Sequence, residues 1–318
     1  MTSDPSGIAG LHVAVLSGGL SLEREVSLRS GTRVAIALEE RGHRVERIDL
    51  DDHLVPTLLE ANCDLAFLAL HGKSGEDGAV QGLLQLLGIP YTGPDATASA
   101  LAWDKNVFKG LLARQGLSTP DWVALSSSAI RDMGAARALD RVSDHLGLPL
   151  MVKPSQGGAS MGVRRVDQPR ELGPALVAAF SYHEVVLVER FVKGTEVAIS
   201  MVDGECLPAV EIVPRDGAYD FAARYTHGAT DFYAPARLEP AVLERARTTA
   251  LAAYDAVGCR HVTRADLLID PDGVPWLLEL DTCPGLTETS LLPTAAGAAG
   301  LNFSDLCQRL VECAMRDA

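Results

Sequence analysis

The alternation of apolar and polar residues is sharpest between Thr263 and Asp281. Arg264 and Asp266 fall on one side of a period-two pattern, and Ala265, Leu267 and Ile269 fall on the other. In the second run Glu279 and Asp281 share a side, opposite Trp276, Leu278 and Leu280. Asp270-Pro271-Asp272-Gly273 between them carries turn residues, so a β-hairpin is expected. Pairing Asp270 with Gly273 sets Arg264 opposite Glu279 and gathers three carboxylates and one guanidinium on one face. Carboxylates crowded on a half-buried sheet repel and are costly to desolvate. A hard divalent cation relieves that cost, and carboxylate oxygens suit Mg2+. The same pattern also fits a solvated polar face with an ordinary salt bridge.

Elsewhere the apolar runs are shorter. Leu11 to Leu16 reads as a buried strand, followed by the loop Ser17-Gly18-Gly19. A helix opens near Glu23 and runs to about Glu40, where Gly42 can stop it. Arg44 to Leu50 and Leu65 to Leu70 read as the next strands. Strand, glycine loop, helix, strand is the start of a doubly wound α/β unit. The third strand ends at His71, on the edge where such sheets bind ligands. Val80 to Leu87 reads as a helix, and Tyr91 to Pro94 as a domain boundary. Two helices follow, the first capped by Asp95 and the second carrying Lys105 and Lys109. Leu148 to Lys153, a glycine-rich loop at 154–162 and Val163 to Val166 form strand, loop, strand. Such a loop can lay its amides on phosphate, with Lys153 as a point charge, or be a plain flexible hairpin tip. Glu184 to Val192 reads as a strand, and Glu196 to Val213 as a hairpin. Tyr219 to Ala236 is long and without period, as lids often are. Thr282 to Gly300 reads as an irregular loop, and a helix from Ser304 to about Met315 closes the chain.

Composition narrows the class. The 318 residues are 47% apolar, enough for a folded core in two or three domains. No run approaches the roughly 20 apolar residues of a membrane span. The net charge of −14 disfavours nucleic acid or an anionic membrane as partner. The six cysteines are scattered without a CxxC pair, which argues for reduced thiols and against zinc or disulfides. Residues 1–10 lack a basic segment followed by an apolar one, so no secretion signal is expected and the cytoplasm is the expected compartment. Only five of the 28 basic residues are lysines (73, 105, 109, 153 and 193), so each hints at a compact point charge.

Taken in order, these segments resemble the D-alanine–D-alanine ligases of the ATP-grasp superfamily. The likeness rests on SLEREVS (21–27), ALHGKSGEDG (69–78), GLLQLLGIPYTG (82–93), LMVKPSQGGASMG (150–162) and LLELDTCPGLTETSLLP (277–293). The resemblance implies an α/β protein, α+β in its ATP-grasp part, with three domains. These are a Rossmann-like doubly wound unit (1–94), a central domain with the glycine loop (95–185) and a C-terminal domain (186–318). It implies ATP as co-substrate and two Mg2+ ions, with Mn2+ as an alternative, held by Asp266, Glu279 and Asp281. Lys105 and Lys153 match the lysines on the ATP phosphates. Glu189, Arg190, Phe191 and Val192 match the strand that reads adenine through backbone groups, and Glu196 matches the ribose ligand. Arg264 and the Gly285 backbone match the oxyanion site. Glu23 would hold the ammonium of the first D-amino acid, with His71 nearby. Ser290 and Leu291 would hold the carboxylate of the second. Arg224 and Tyr225 fall in the lid, and Tyr225 favours an amine as second substrate. Ser160, in the glycine loop, belongs to the implied catalytic set with Glu23, Tyr225, Arg264 and Gly285. A homodimer in the cytoplasm, making a peptidoglycan precursor, is the implied setting.

Several positions depart from the family pattern. Ala159 stands where a serine commonly hydrogen-bonds the lid tyrosine and the Glu23 position, Asp281 replaces an asparagine, Cys283 a serine and Thr289 a histidine. These changes bear on the amino-acid pair, and a related ligase with another D- or L-amino-acid pair is the alternative. A nucleotide-binding module without catalysis finds support only in Ala159. A NAD-linked oxidoreductase lacks the G-x-G-x-x-G fingerprint in its first loop.

Overall fold

A computed structural model of the chain describes residues 8, 10–133, 135–215, 223, 224, 226 and 228–318. The order begins β1 (His12–Ser17), α1 (Arg24–Glu40), β2 (Arg44–Asp49), α2 (Leu54–Ala61), β3 (Leu65–Leu68) and α3 (Ala79–Leu87). The strands pair in parallel in the order β2-β1-β3. Alternate residues of β1 feed two cores. Val13 and Val15 pack with Val34 and Leu38 of α1. Ala14 and Leu16 pack with Leu54 and Leu58 of α2 and Leu84 of α3. Both faces of β1 and β3 are covered, which is why these two strands read as apolar runs, whereas the edge strand β2 is largely polar.

The chain continues through α4 (Ala96–Trp103), α5 (Lys105–Arg114), β4 (Trp122–Ser126), α6 (Ser127–Met133), α7 (Ala135–Leu146), β5 (Leu150–Pro154), β6 (Arg164–Val166), α8 (Pro169–Phe180) and β7 (Val185–Arg190). Its strands form an antiparallel sheet in the order β4-β7-β5-β6. Leu150, Val152, Val186 and Val188 face Val142 of α7 and Leu172 and Leu176 of α8. Alternation puts Met151, Lys153, Leu187 and Glu189 on the face that α7 and α8 leave uncovered, where Lys153, Leu187 and Glu189 are buried by other parts of the chain. β7 sits inside this sheet, so the expected division at 185/186 cuts through a strand. α4 and α5 pack elsewhere, in the core of the third block.

That block holds β8 (Thr195–Val202), β9 (Glu205–Cys206), β10 (Val210–Pro214), β11 (Thr230–Tyr233), α9 (Pro240–Val257), β12 (Val262–Ile269), β13 (Pro275–Asp281), α10 (Leu291–Ala298) and α11 (Phe303–Arg316). The sheet order is β11-β10-β8-β12-β13, with β9 paired to β8. Part of the stretch expected as a lid, Thr230–Tyr233, is thus an edge strand. Val197, Ile199, Ala265 and Leu267 pack on Ala246 and Ala250 of α9 and on Phe108 and Leu112 of α5. Glu196, Ala198, Ser200, Arg264 and Asp266 lie on the opposite face. The far end of that face is covered by α10 and α11, which also pack against α1. The last block is therefore welded to the first. No helix among the described residues is long and apolar enough to cross a membrane.

The hairpin forms, but not in the expected register. Arg264 pairs with Asp281 and Asp266 with Glu279. The loop is three residues long, closed by the Asp270 amide donating to the Val274 carbonyl at 3.1 Å, with Gly273 at φ +74° in the left-handed position. The ladder then slips between Asp266 and Leu267, leaving Leu278 as an extra residue in a β-bulge. Below the bulge Leu277 enters the core instead of Leu278; above it Leu280 does. The bulge thereby puts Glu279 and Asp281 on the same side as Arg264 and Asp266. A second correction concerns 282–300, expected as an irregular loop. It contains α10, an alanine-rich turn that tolerates Pro293 because the proline falls within the first helical turn.

Candidate active site

The uncovered faces of the two antiparallel sheets meet the carboxyl edge of the parallel one around a single cavity. It collects Glu23 and His71 from the parallel unit and Lys105 from α5. Gly157, Gly158 and Ala159 come from the glycine loop, and Arg224, Arg264, Glu279 and Asp281 line the other wall. Gly285, Ser290 and Leu291 close one end. Ten of the residues expected from sequence are thus brought together.

At one end the side chains form a web of charge pairs. Asp104 caps α5, accepting from the amide of Asn106 at 3.0 Å. Its carboxylate also accepts from Ser155 Oγ at 2.6 Å and Gln156 Nε2 at 3.1 Å, at the root of the glycine loop. Burial pushes the Asp104 carboxyl up, but these hydrogen bonds outweigh it and hold it below the usual range. The next residue, Lys105, donates from Nζ to the Gly157 carbonyl at 2.7 Å and stands 3.3 Å from Glu279. One helix start therefore anchors both the base and the body of the loop. Within the loop, Ala159 (φ +51°) and Ser160 (φ +57°) both take the left-handed conformation. That costs roughly 1–2 kcal/mol per residue for a side chain with a Cβ. Ser160 Oγ accepts from Arg224 Nε at 3.1 Å, tying the loop across the cleft. Ser160 is held beside the cavity rather than lining it. Tyr225 lies outside the described residues.

Lys153 and Glu189 stand on the uncovered face of the central sheet, 2.9 Å apart. Glu189 is buried, and its carboxyl is driven up by burial but held down by two lysines, so it stays ionised. The amides of Arg190 and Phe191 are used inside the fold, donating to Asp121 at 2.9 Å and Pro149 at 3.1 Å. Among the described residues the Val192 amide has no such partner. The Arg190 side chain turns outward to Asp121, 3.1 Å away. Glu196 is lifted by burial to about 7.

Arg264 organises the centre. Its Nε lies 2.7 Å from Asp266 Oδ1 and its Nη1 2.8 Å from Asp281 Oδ2. Burial raises the Asp266 carboxyl even against this guanidinium. Glu279 is lowered: burial opposes ionisation, but Lys105, Arg224 and Arg264 prevail. The donors are all oxygen, the chemistry a hard dication takes. With Arg264 between Asp266 and Asp281, and Lys105 on Glu279, no three Asp, Glu, His or Cys side chains among the described residues converge on one point.

The other end is built differently. Glu23 is 6% exposed, and its carboxylate makes no hydrogen bond or ion pair among the described residues. A Cβ at Gly158 would lie 2.9 Å from Glu23 Oε1, so glycine is what lets the loop come this close. His71 is spent on structure: Nδ1 donates to the Cys283 carbonyl at 3.1 Å, and Nε2 pairs with Ser30 Oγ at 2.9 Å. Burial lowers its pKa, so it is neutral. Ser290 stands at the N-cap position of α10, but its hydroxyl makes no capping bond and lies 2.8 Å from Thr287 Oγ1. Leu291, the first residue of the helix, has its amide at the positive end of the helix dipole. A Cβ at Gly285 would lie 2.7 Å from Ser290 Oγ, which fixes that position as glycine.

Sequence reasoning passed over Glu76 and Asp104 as site residues. Glu76 lines the cavity, and its carboxyl is raised well above its usual range by burial and by the neighbouring Asp281. Its position after Gly75 gave no periodic signal. Asp104 was legible only as a helix cap.

Comparison with known proteins agrees with this geometry. Family models described as D-ala D-ala ligase C-terminus and N-terminus match residues 111–312 and 55–94. A D-alanine–D-alanine ligase of Anaeromyxobacter dehalogenans is 44% identical over 303 residues, covering 95% of this chain and 96% of its own. The crystal structure of such a ligase from Bacillus anthracis superposes with a TM-score of 0.86 at 35% identity, covering 97% of this chain and 98% of that one. A D-Ala:D-Ser ligase, VanG of Enterococcus faecalis, superposes at 0.81 with 28% identity, covering 95% and 98%. The chain belongs to the D-alanine–D-alanine ligase family.

Proposed function

We propose that the protein joins two D-alanines into a dipeptide at the expense of ATP, in the cytoplasm and as a homodimer, for peptidoglycan precursor synthesis. The observation that carries this is one cavity with opposite polarity at its ends. Unpartnered Glu23 suits an ammonium, the lysine web suits phosphates, and Arg264 stands clamped between them. A carboxylate oxygen of the first D-alanine attacks the γ-phosphorus, and the bond to the bridging oxygen breaks as ADP leaves. The amine of the second D-alanine then attacks the acyl carbon. Phosphate leaves, and the nitrogen gives up a proton. Phosphoryl transfer of this kind asks the protein for position and charge more than for covalent chemistry.

Glu23 holds the first ammonium, and His71, fixed at both nitrogens, shapes the wall beside it. Arg264 and the Gly285 amide face the oxyanion of the tetrahedral intermediate. Ser290 and the Leu291 amide receive the second carboxylate at the α10 terminus. Lys105 and Lys153 take the phosphates, Val192 reads the adenine edge, and Glu196 takes the ribose. Asp266, Glu279 and Asp281 would hold Mg2+, which supplies charge neutralisation at the transferring phosphoryl group. Arg224 and Tyr225 close the lid over it. Thr287 and Thr289 line the cavity beside Ser290. That hydroxyl-bearing wall favours a second reading, in which D-serine replaces the second D-alanine. ADP release measured across D-alanine, D-serine, D-lactate and L-amino acids, with the product identified by mass, tests both. No turnover with any D-amino acid overturns the assignment.

A further inference from the structure

Lys109 lies one helical turn beyond Lys105 on α5, and the function above gives it nothing to do. It is fully buried. Its ammonium stands 3.0 Å from Glu189 Oε1, donates to Thr119 Oγ1 at 2.7 Å and lies 5.1 Å from the centre of the Trp122 ring. The other oxygen of Glu189 is 2.9 Å from Lys153. Thr119 in turn donates to the Leu277 carbonyl at 2.9 Å, beside the bulge that aims Glu279. The chain of contacts thus runs from the central sheet to the hairpin, across the floor of the nucleotide cleft. Burial lowers the Lys109 pKa to about 8 against the pull of Glu189, so the site maintains this charge at a cost.

The charge count explains why. Glu189 and Lys153 alone would form a neutral pair, with the Lys153 ammonium drawn onto the carboxylate. With Lys109 on the far oxygen, two cations share one anion and a net positive charge remains. Lys153, at the root of the glycine loop, is the member able to present it. We propose that Lys109 is a positioning residue for the nucleotide: it occupies Glu189 from behind, so that Lys153 is both fixed in place and free in charge to meet the phosphates. The inference rests on the ATP reading above and extends it to a residue that touches no substrate.

The test compares wild type with Lys109→Met, Lys109→Gln, Glu189→Gln and the double variant Lys109→Met/Glu189→Gln. ADP and adenosine binding are measured by calorimetry, and ADP release gives kcat and KM. Lys109→Met should weaken ADP by about tenfold while adenosine changes by less than about threefold, because the lost charge acts on the phosphates. KM for ATP should rise with kcat little changed. The double variant restores the net charge and should bind ADP more tightly than Lys109→Met alone. A purely structural role predicts instead that adenosine affinity falls in step with ADP affinity in every variant, because displaced side chains would disturb the base as well as the phosphates. Lys109→Gln keeps a partner for Thr119 and carries the same comparison should Lys109→Met fail to fold. Folded Lys109 variants that bind ADP within about twofold of wild type overturn the proposal, as does a double variant no tighter than the single. A wild-type protein that binds no ADP would instead overturn the ATP reading on which the proposal stands.

Discussion

The two ends of the cavity solve opposite problems. At the lysine end Asp104, Lys105 and Glu189 all have partners among the described residues. Asp104 holds the loop root, Lys105 bridges Gly157 and Glu279, and Glu189 lies between Lys109 and Lys153. At the Glu23 end a buried carboxylate stands without a bonded partner, beside a histidine that is neutral and tied at both nitrogens. A buried unpaired charge is destabilising by itself. Its persistence suits a site completed by its substrate, whereas the lysine end is already paired within the protein. Order at one end and deficit at the other fit a mechanism that fixes phosphates first and captures a cation afterwards.

Breaking the hinge between the ends should have the largest effect. Arg264→Met leaves Asp266 and Asp281 buried without their cation, which should cost about 3–5 kcal/mol of stability. It should also lower kcat by at least about 10²–10³, the range for losing one oxyanion donor. Melting curves and ADP release read the two separately. Glu23→Gln comes next. It should raise KM for the first D-alanine by about 10–100-fold, from a lost charged hydrogen bond of about 1.5–3 kcal/mol. ADP affinity should not move; a matching loss of ADP affinity would erase the distinction between the ends.

Leu291→Pro sharpens the second-substrate side. Proline is tolerated at the first helical position, and Ser290 already has the extended backbone (ψ 149°) that a residue before proline requires. The change removes one amide hydrogen while keeping α10. It should raise KM for the second substrate by about tenfold if that amide binds the carboxylate. Part of the buried leucine contact is also lost, which the melting temperature records. The smallest effect is a pH dependence. Glu196 titrates at about 7 and accepts hydrogen bonds best when ionised. ADP affinity should therefore rise a few-fold as pH goes from about 6 to about 7, before loss of the Lys109 charge near 8 draws it down again. Glu196→Gln should flatten that slope.

The sequence announced the faces of the hairpin because a period of two is written directly in residues 264–269. It did not announce the register, which depends on a loop one residue longer than assumed and on the bulge at Leu278. The only trace of that bulge is the doublet Leu277-Leu278, where strict alternation fails. α10 was hidden by Pro293 and Gly297, residues that usually break helices but here fall in its first turn and near its end. Lys109 was visible as a rare lysine in an arginine-rich chain, but the carboxylate that it meets is 80 positions away in sequence, at Glu189. Asp104 and Glu76 owe their roles to tertiary neighbours, which no local pattern encodes. In the parallel unit β1 and β3 were legible because they are apolar on both faces, a signal that survives without knowledge of neighbours.

The extra residue in β13 makes the chain unequally tolerant of length changes. Losing one residue from the turn at 271–273 would shorten an exposed loop and leave the strands in phase. Losing one leucine of the 277–278 doublet would remove the bulge and restore strict alternation, with Glu279 and Asp281 still on the site face, whereas losing Leu280 would turn Asp281 toward the apolar layer and take that leucine out of the core. Two single-codon deletions a few positions apart should thus give a working enzyme in one case and an inactive, unstable one in the other.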